Sequence, residues 1–308
     1  MLRRKDIQRT LIENTLRLHM KRYDSDSERT LRRLIDIGLS VSKTPRQSNI
    51  FKRIALLFKD EKSTYYPALK KEFDNVNRDH FIHFCTNLGY LSWKKGAGVL
   101  NSYIKESRDS ESWLKTFLIS DNNKEKLNTS SLSNEIQVLN KKGIYAFNFN
   151  INFNNDVEAI LNILIPVINT YQDSNFLIRL PDVIIDDNTI EQLSLLPNIL
   201  VAIPYNKEST FAMSELLFEE KIFYGLYYYY GKDEASDYGY ELLEDTFENM
   251  SQENTSAIFM IPSEGLTDKE KKAVNKKILR YRSGRYFPLL ITDFLYDVDR
   301  INDYIINK

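Results

Sequence analysis

The chain has 308 residues, enough for one large core or two smaller ones, and is rich in aromatics (19 Tyr, 17 Phe) and poor in glycine (10). Its single cysteine excludes an intramolecular disulfide and a cysteine-built metal site, and no segment approaches the ~18 continuous apolar residues of a membrane span. The net charge of −1 conceals a split: residues 1–110 carry 23 Lys/Arg against 13 Asp/Glu, and residues 111–308 carry 19 against 30.

The first ~115 residues read as helices. Leu11, Leu16 and Leu18 are spaced through a first amphipathic helix that ends near Tyr23. Ser25 with Glu28 makes a capping box for a second, carrying Leu31, Leu34, Ile35 and Leu39. Pro45 and Asn49 bracket the next start, with Ile50, Ile54, Leu57 and Phe58 on one stripe. Pro67 falls in the first turn of a short helix through Phe73. Arg78 or Asp79 opens a long run with Phe81, Phe84, Leu88, Leu91 and Val99 at helical spacing; Gly89 and Gly96 within it predict a break or a close helix contact.

Residues 120–134 are polar and turn-rich and are the best linker candidate. Six short apolar runs follow, beginning near Ile144, Phe176, Ile199, Ile222, Ala257 and Phe287, each leading into a helix-like stretch. The connecting helices include 155–171, 187–195, 209–220, 237–251 and 267–282, the last opened by a Thr267/Glu270 capping box. Recurrent β–α units imply parallel strands with helical crossovers, hence a Rossmann-like sheet or a barrel.

The most unusual strand is residues 144–156. Alternation puts Phe147, Phe149, Ile151 and Phe153 on one face and Asn148, Asn150, Asn152 and Asn154 on the other. A buried parallel strand is ordinarily apolar on both faces, so the amides imply either a polar ligand-binding lumen or an Asn ladder satisfied internally and by water. Arg179, Tyr205, Tyr227, Tyr229, Glu264 and Asp293, at or near strand C-termini, are further ligand-binding candidates, because ligands meet side chains there in α/β folds. A Tyr-rich strand such as YGLYYYYG is equally an ordinary packing element.

The order of these segments resembles the radical SAM superfamily, and more narrowly a set of its bacterial and archaeal members with a helical N-terminal region. The likeness rests on DHFIHFCTNLGYLSWKKGAGVL (79–100) before a Trp-led first strand WLKTFLISD (113–121), and on Gly143 and Tyr145 at the second strand. It continues through FLIRLPDVIIDDNTIEQL (176–193), IFYGLYYYY, LTDKE (266–270) and LLITDFLYD (289–297). The resemblance implies an α/β fold: a partial (β/α)6 TIM-like barrel, residues 113–308, preceded by an all-helical region, residues 1–112.

The chain departs from that pattern where the family does its chemistry. The family's CxxxCxxC, which holds a 4Fe–4S cluster, is replaced by SDNNKEKLNTSSLS (120–133), and Ser or Asn does not substitute for thiolate. Ile151-Asn152-Phe153-Asn154 stands where Gly-Gly-Glu-Pro would contact S-adenosylmethionine, and Asn206 stands where a glutamate is expected. The cysteine-rich C-terminal extension of many members is absent from a chain that stops at Lys308. No family catalytic residue carries over, and no cofactor is expected. His80 and His83, at i and i+3 with Asp79 or Cys85 nearby, do not make a metal site of known spacing.

The expected function is therefore a non-catalytic radical SAM-like protein that binds a protein, peptide or small molecule through the mouth of a polar lumen. Two alternatives stay open. One is an enzyme with cluster-independent chemistry using Arg179, Tyr227, Glu264 and Asp293. The other is nucleic-acid binding through the basic helical half; the separate basic stretch from Lys271 to Arg285 resembles an exposed crossover helix and turn more than a nucleic-acid groove, although Tyr281, Arg282 and Arg285 could touch phosphate. The start MLRRKD has no apolar run behind it, so a cytoplasmic protein without a secretory signal or membrane insertion is expected.

Overall fold

The computed structural model describes residues 6–306 except 22, 25, 42–47, 49–51, 53, 61, 206 and 285. Ser25, Pro45, Asn49, Ile50, Asn206 and Arg285 therefore lie outside the described residues. Seven strands form one parallel sheet in sequential order, a half-barrel: β1 (Leu114–Ile119), β2 (Ala146–Ile151), β3 (Asn175–Arg179), β4 (Ile199–Pro204), β5 (Tyr224–Tyr230), β6 (Ala257–Pro262) and β7 (Leu290–Asp293). The strand count is seven rather than six because β1, formed by the Trp-led segment, pairs in register ahead of the six apolar runs. Residues 120–134 are not a linker; they hold the turn after β1 and the start of the crossover helix Thr129–Lys142.

Every crossover between consecutive strands carries a helix, and these helices cover one face of the sheet. The phenylalanines of β2 sit on that covered face. Phe149 lies 5.3 Å from Phe117 and 5.7 Å from Phe176, and Phe147 lies 5.3 Å from Phe176. The Thr267/Glu270 capping box forms as expected: Thr267 N donates to Glu270 Oε2 (2.7 Å), and Glu270 N donates to Thr267 Oγ1 (3.3 Å).

In the helical region, Asp6 caps the first helix, Ile7–Met20; Leu11 and Leu18 on it are exposed, while Leu16 packs on the bundle core. Asp26, directly after the expected Ser25, caps the second helix, its Oδ1 accepting from Arg29 N at 3.0 Å. The long run expected from Arg78 is helical throughout but changes pitch: α-helix Arg78–Thr86, π-helix Asn87–Gly96, then α-helix Ala97–Ser107. The close contact expected from its glycines is at Gly96, where an added Cβ would stand 2.4 Å from Gly143 O. Gly143 itself has φ +96°, the left-handed helix stop before β2.

This region closes the N-terminal ends of the strands. Asn175 Nδ2, at the first residue of β3, donates to Phe84 O (2.9 Å), and Phe84 and Phe81 pack edge-on against Phe223 at the foot of β5. Glu72, on the helix Tyr65–Asn75, is only 2% exposed. Its carboxylate accepts from Ser256 N, from Ser256 Oγ (2.7 Å) and from Thr255 Oγ1 (3.0 Å), immediately before β6. Burial holds its carboxyl above the ordinary range. Truncating it leaves the buried Ser256 N–H without an acceptor, whereas the two hydroxyls can turn to Ala68 O (2.8 Å) and Tyr224 O (2.9 Å). Glu72→Ala is therefore expected to lower unfolding free energy by about 3 kcal/mol, measured by urea denaturation.

Candidate functional site on the inner face of the half-barrel

The strand register decides which side chains face inward. One row across the sheet reads Leu118, Asn150, Arg179, Ala202 and Gly225; the row toward the N-terminal ends reads Thr116, Asn148, Leu177 and Leu200. The other parity, including Phe149, Ile178 and Val201, lies under the helices. Asn148 and Asn150 thus face the inner side, as the alternation of β2 predicts. Asn152 and Asn154 do not extend that row: β2 ends at Ile151, and both are exposed in the following turn.

Asn148 is buried, and its Nδ2 donates to Thr116 Oγ1 (3.2 Å), while its Oδ1 has no hydrogen-bond partner. Arg179, at the last position of β3, is 6% exposed. Its Nη2 donates to Tyr229 Oη (3.1 Å), and its buried Nε has no acceptor. Three aromatic rings surround the guanidinium, with centroids at 5.5 Å (Tyr227), 5.8 Å (Tyr229) and 5.9 Å (Phe294). Burial depresses the Arg179 pKa, and the two neighbouring tyrosines only partly offset it.

Tyr227 is buried, packs edge-on against Tyr229 at 5.4 Å, and donates its hydroxyl to Leu180 O (2.8 Å). Tyr229 is 45% exposed and forms the open side of the group. On the β4–β7 side the inner face is apolar, filled by Leu200, Ala202, Ile261, Phe259 and Phe294. The polar groups of the lumen are therefore gathered at Thr116, Asn148, Asn150 and Arg179, with Tyr229 of β5 beside them, among apolar side chains such as Leu118 and Leu177, rather than forming a funnel polar all round.

Three candidates lie apart from this group. Tyr205 follows β4 with the helix-facing parity and packs on the outer core. Glu264 is exposed in the turn after β6. Asp293 pairs with Met260 in the ladder and so points to the helix-covered face, not the lumen. There it is fully buried, accepts from Asn275 Nδ2 (2.8 Å), and caps the helix Phe294–Ile305 through Tyr296 N (3.4 Å). Of the set proposed for cluster-independent chemistry, Arg179 and Tyr227 thus meet on the inner face, while Glu264 and Asp293 lie away from them. Phe294, absent from the sequence-based candidates, joins Arg179 because the chain turns inward directly after β7; an aromatic after a strand carries no signal of this.

The segment that the resemblance makes the 4Fe–4S cluster loop lacks the thiolate donors such a cluster needs. Residues 120–133 after β1 carry no thiol, and Lys124 there pairs with Asp121 (3.0 Å) and Asp156 (3.3 Å). The one cysteine, Cys85, is on the helix that crosses the opposite ends of the strands. It lines an apolar cavity of about 320 Å³ between helices, with Ile12, Leu34, Leu88 and Trp93. Cys85 is exposed toward this cavity, whose apolar walls desolvate the thiol and hold it above its ordinary range, so it stays protonated near neutral pH. Among the described residues, no group of three or more His, Cys, Asp or Glu is arranged to hold a metal ion. Nor is any described helix long and apolar enough to cross a membrane.

Among solved structures, the chain is similar to SuiB of Streptococcus suis, with 11% sequence identity and a TM-score of 0.45 over 84% of this chain and 64% of that one. It thus spans less than two thirds of that protein's length. No protein-family model matches the sequence, and no curated protein matches it.

Burial raises the Asp293 carboxyl to about 6. A raised folded-state pKa means that the folded chain holds the proton more tightly than the unfolded one. The associated stability is therefore present below about pH 4 and lost as pH rises through about 6. Asp293→Asn removes this loss. Urea unfolding is expected to show the variant gaining up to about 3 kcal/mol relative to the parent between about pH 4 and pH 7.

Proposed function

We propose that the chain is a non-catalytic, radical SAM-like protein that binds a protein, peptide or small-molecule partner at the mouth of its half-barrel. The observation that carries this reading is the set of inward-facing polar groups on β2 and β3 that have no partner among the described residues: Asn148 Oδ1, Arg179 Nε and the half-buried Asn150 amide beside them. A fold that buries polar atoms without satisfying them loses stability, unless a ligand or water supplies the missing partners. The thiol-free segment after β1 supports binding rather than cluster chemistry, as does the dispersal of the acidic candidates away from Arg179.

The basic helical half gives less support to a nucleic-acid partner. Arg9, Arg17, Arg78 and Lys95 are engaged with Asp173, Glu13, Asp24 and Asp6, at 2.8–3.0 Å. An exposed stripe of unpaired cations is what a phosphate backbone needs.

Native mass spectrometry of protein purified gently from its host is expected to show a bound polypeptide or small molecule. Asn150→Leu is expected to weaken that species about tenfold without lowering the melting temperature. Unchanged retention in Asn150→Leu, or a bare monomer from the parent chain, would remove the lumen from consideration.

A further inference from the structure

Among the described residues, six charged side chains are buried: Glu72, Arg179, Glu234, Lys277, Asp293 and Asp297. Five of them hold at least two hydrogen bonds. Glu234 accepts from Tyr228 Oη (2.7 Å) and Gly231 N (2.6 Å). Lys277 donates to the carbonyls of Glu234 and Ser236. Asp297 is held between Arg282 (2.6 Å) and Arg300 (2.7 Å). Glu72 and Asp293 have the partners given above. Arg179 is the exception: among the described residues, its guanidinium with five donors has one neutral acceptor, Tyr229 Oη, and no carboxylate within ion-pair distance.

The neutral groups around it can donate as well as accept. Tyr229 uses its oxygen to accept from Arg179, so its hydroxyl proton points elsewhere. Asn150 is the neighbour of Arg179 in the ladder, and its side chain makes no hydrogen bond among the described residues. Asp182, the first acidic residue after β3, turns away to accept from Ser209 N (3.1 Å) and Oγ (2.6 Å). A buried cation with neutral donors beside it and no acid of its own is complementary to an anion. One buried positive charge balances one negative charge. A carboxylate meets that condition, whereas a phosphate dianion would leave a second charge uncompensated in the same low-dielectric site. Phe259, Phe294 and Tyr227 on the adjoining side offer an apolar wall for the body of the molecule.

Resting on the binding reading above, we propose that the half-barrel takes a ligand bearing a single carboxylate on an apolar body, with Arg179 as its ionic anchor and Asn150 and Tyr229 as neutral donors. Calorimetric titration of the full chain with benzoate, benzamide and phenyl phosphate tests this. Benzoate is expected to bind, phenyl phosphate more weakly, and benzamide not at all. Arg179→Met is expected to weaken benzoate by about tenfold or more. The same variant is expected to melt at or above the parent temperature, because it removes a buried charge that the protein leaves unneutralised.

Equal affinity for benzamide and benzoate overturns the requirement for charge and leaves the lumen as the binding site. So does benzoate affinity that survives Arg179→Met but is lost in Asn150→Leu. Tighter phenyl phosphate overturns the choice of carboxylate. No binding of any of the three overturns the carboxylate inference, while the binding reading is judged separately by the native mass spectrum. A clearly lower melting temperature for Arg179→Met makes Arg179 a packing residue and overturns its role as anchor.

Discussion

Alternation along in-register parallel strands is the constraint on which the rest of this structure depends. With seven strands paired in sequence order, each residue's side of the sheet follows from its parity. Crossover helices cover one face, and that face takes the phenylalanines of β2 and the buried aliphatics of β3, β4 and β6. Asn148, Asn150 and Arg179 have the other parity and are left on the inner side. A one-residue slip in any of these pairings would exchange the phenylalanine and asparagine faces, so packing of the aromatic face also aims the amides.

The N-terminal helices act as a floor to this half-barrel. They attach through polar contacts at strand starts, where backbone and side-chain groups need partners: Glu72 on Ser256 and Thr255, and Phe84 O under Asn175. The Gly96–Gly143 contact brings the long helical run against the turn into β2 at backbone distance. This arrangement places Cys85 at the floor and the turn after β1 at the mouth. The only thiol and the segment that corresponds to the cluster loop in the resemblance are therefore at opposite ends of the strands.

Buried charge is treated in two ways in this chain. Around the helix Phe294–Ile305 and the helix Asp268–Gly284, ionised groups are paired or fully hydrogen-bonded, which limits the cost of taking them out of water. At the end of β3 the opposite holds, and aromatic faces give the Arg179 cation only partial compensation. The contrast within one molecule separates a group that holds the fold together from one whose local environment is incomplete without something else.

Much of the scaffold was legible in the sequence. Apolar runs and capping residues placed the strands and most helices close to their observed positions, because hydrophobic periodicity and caps act over a few neighbouring residues. Alternation likewise put Asn148 and Asn150 opposite the phenylalanines. What needed the tertiary structure was every statement about which strand end meets which. Asp293 reads as a strand-end acid like any other, yet its pairing with Met260 turns it under the helices. Arg179 reads as a charge interrupting an apolar run, and only the assembled sheet shows it ringed by Tyr227, Tyr229 and Phe294 without an acid. Local pattern determines faces. Counter-ions, cages and orphaned donors come from residues far apart in the chain, which only folding brings together.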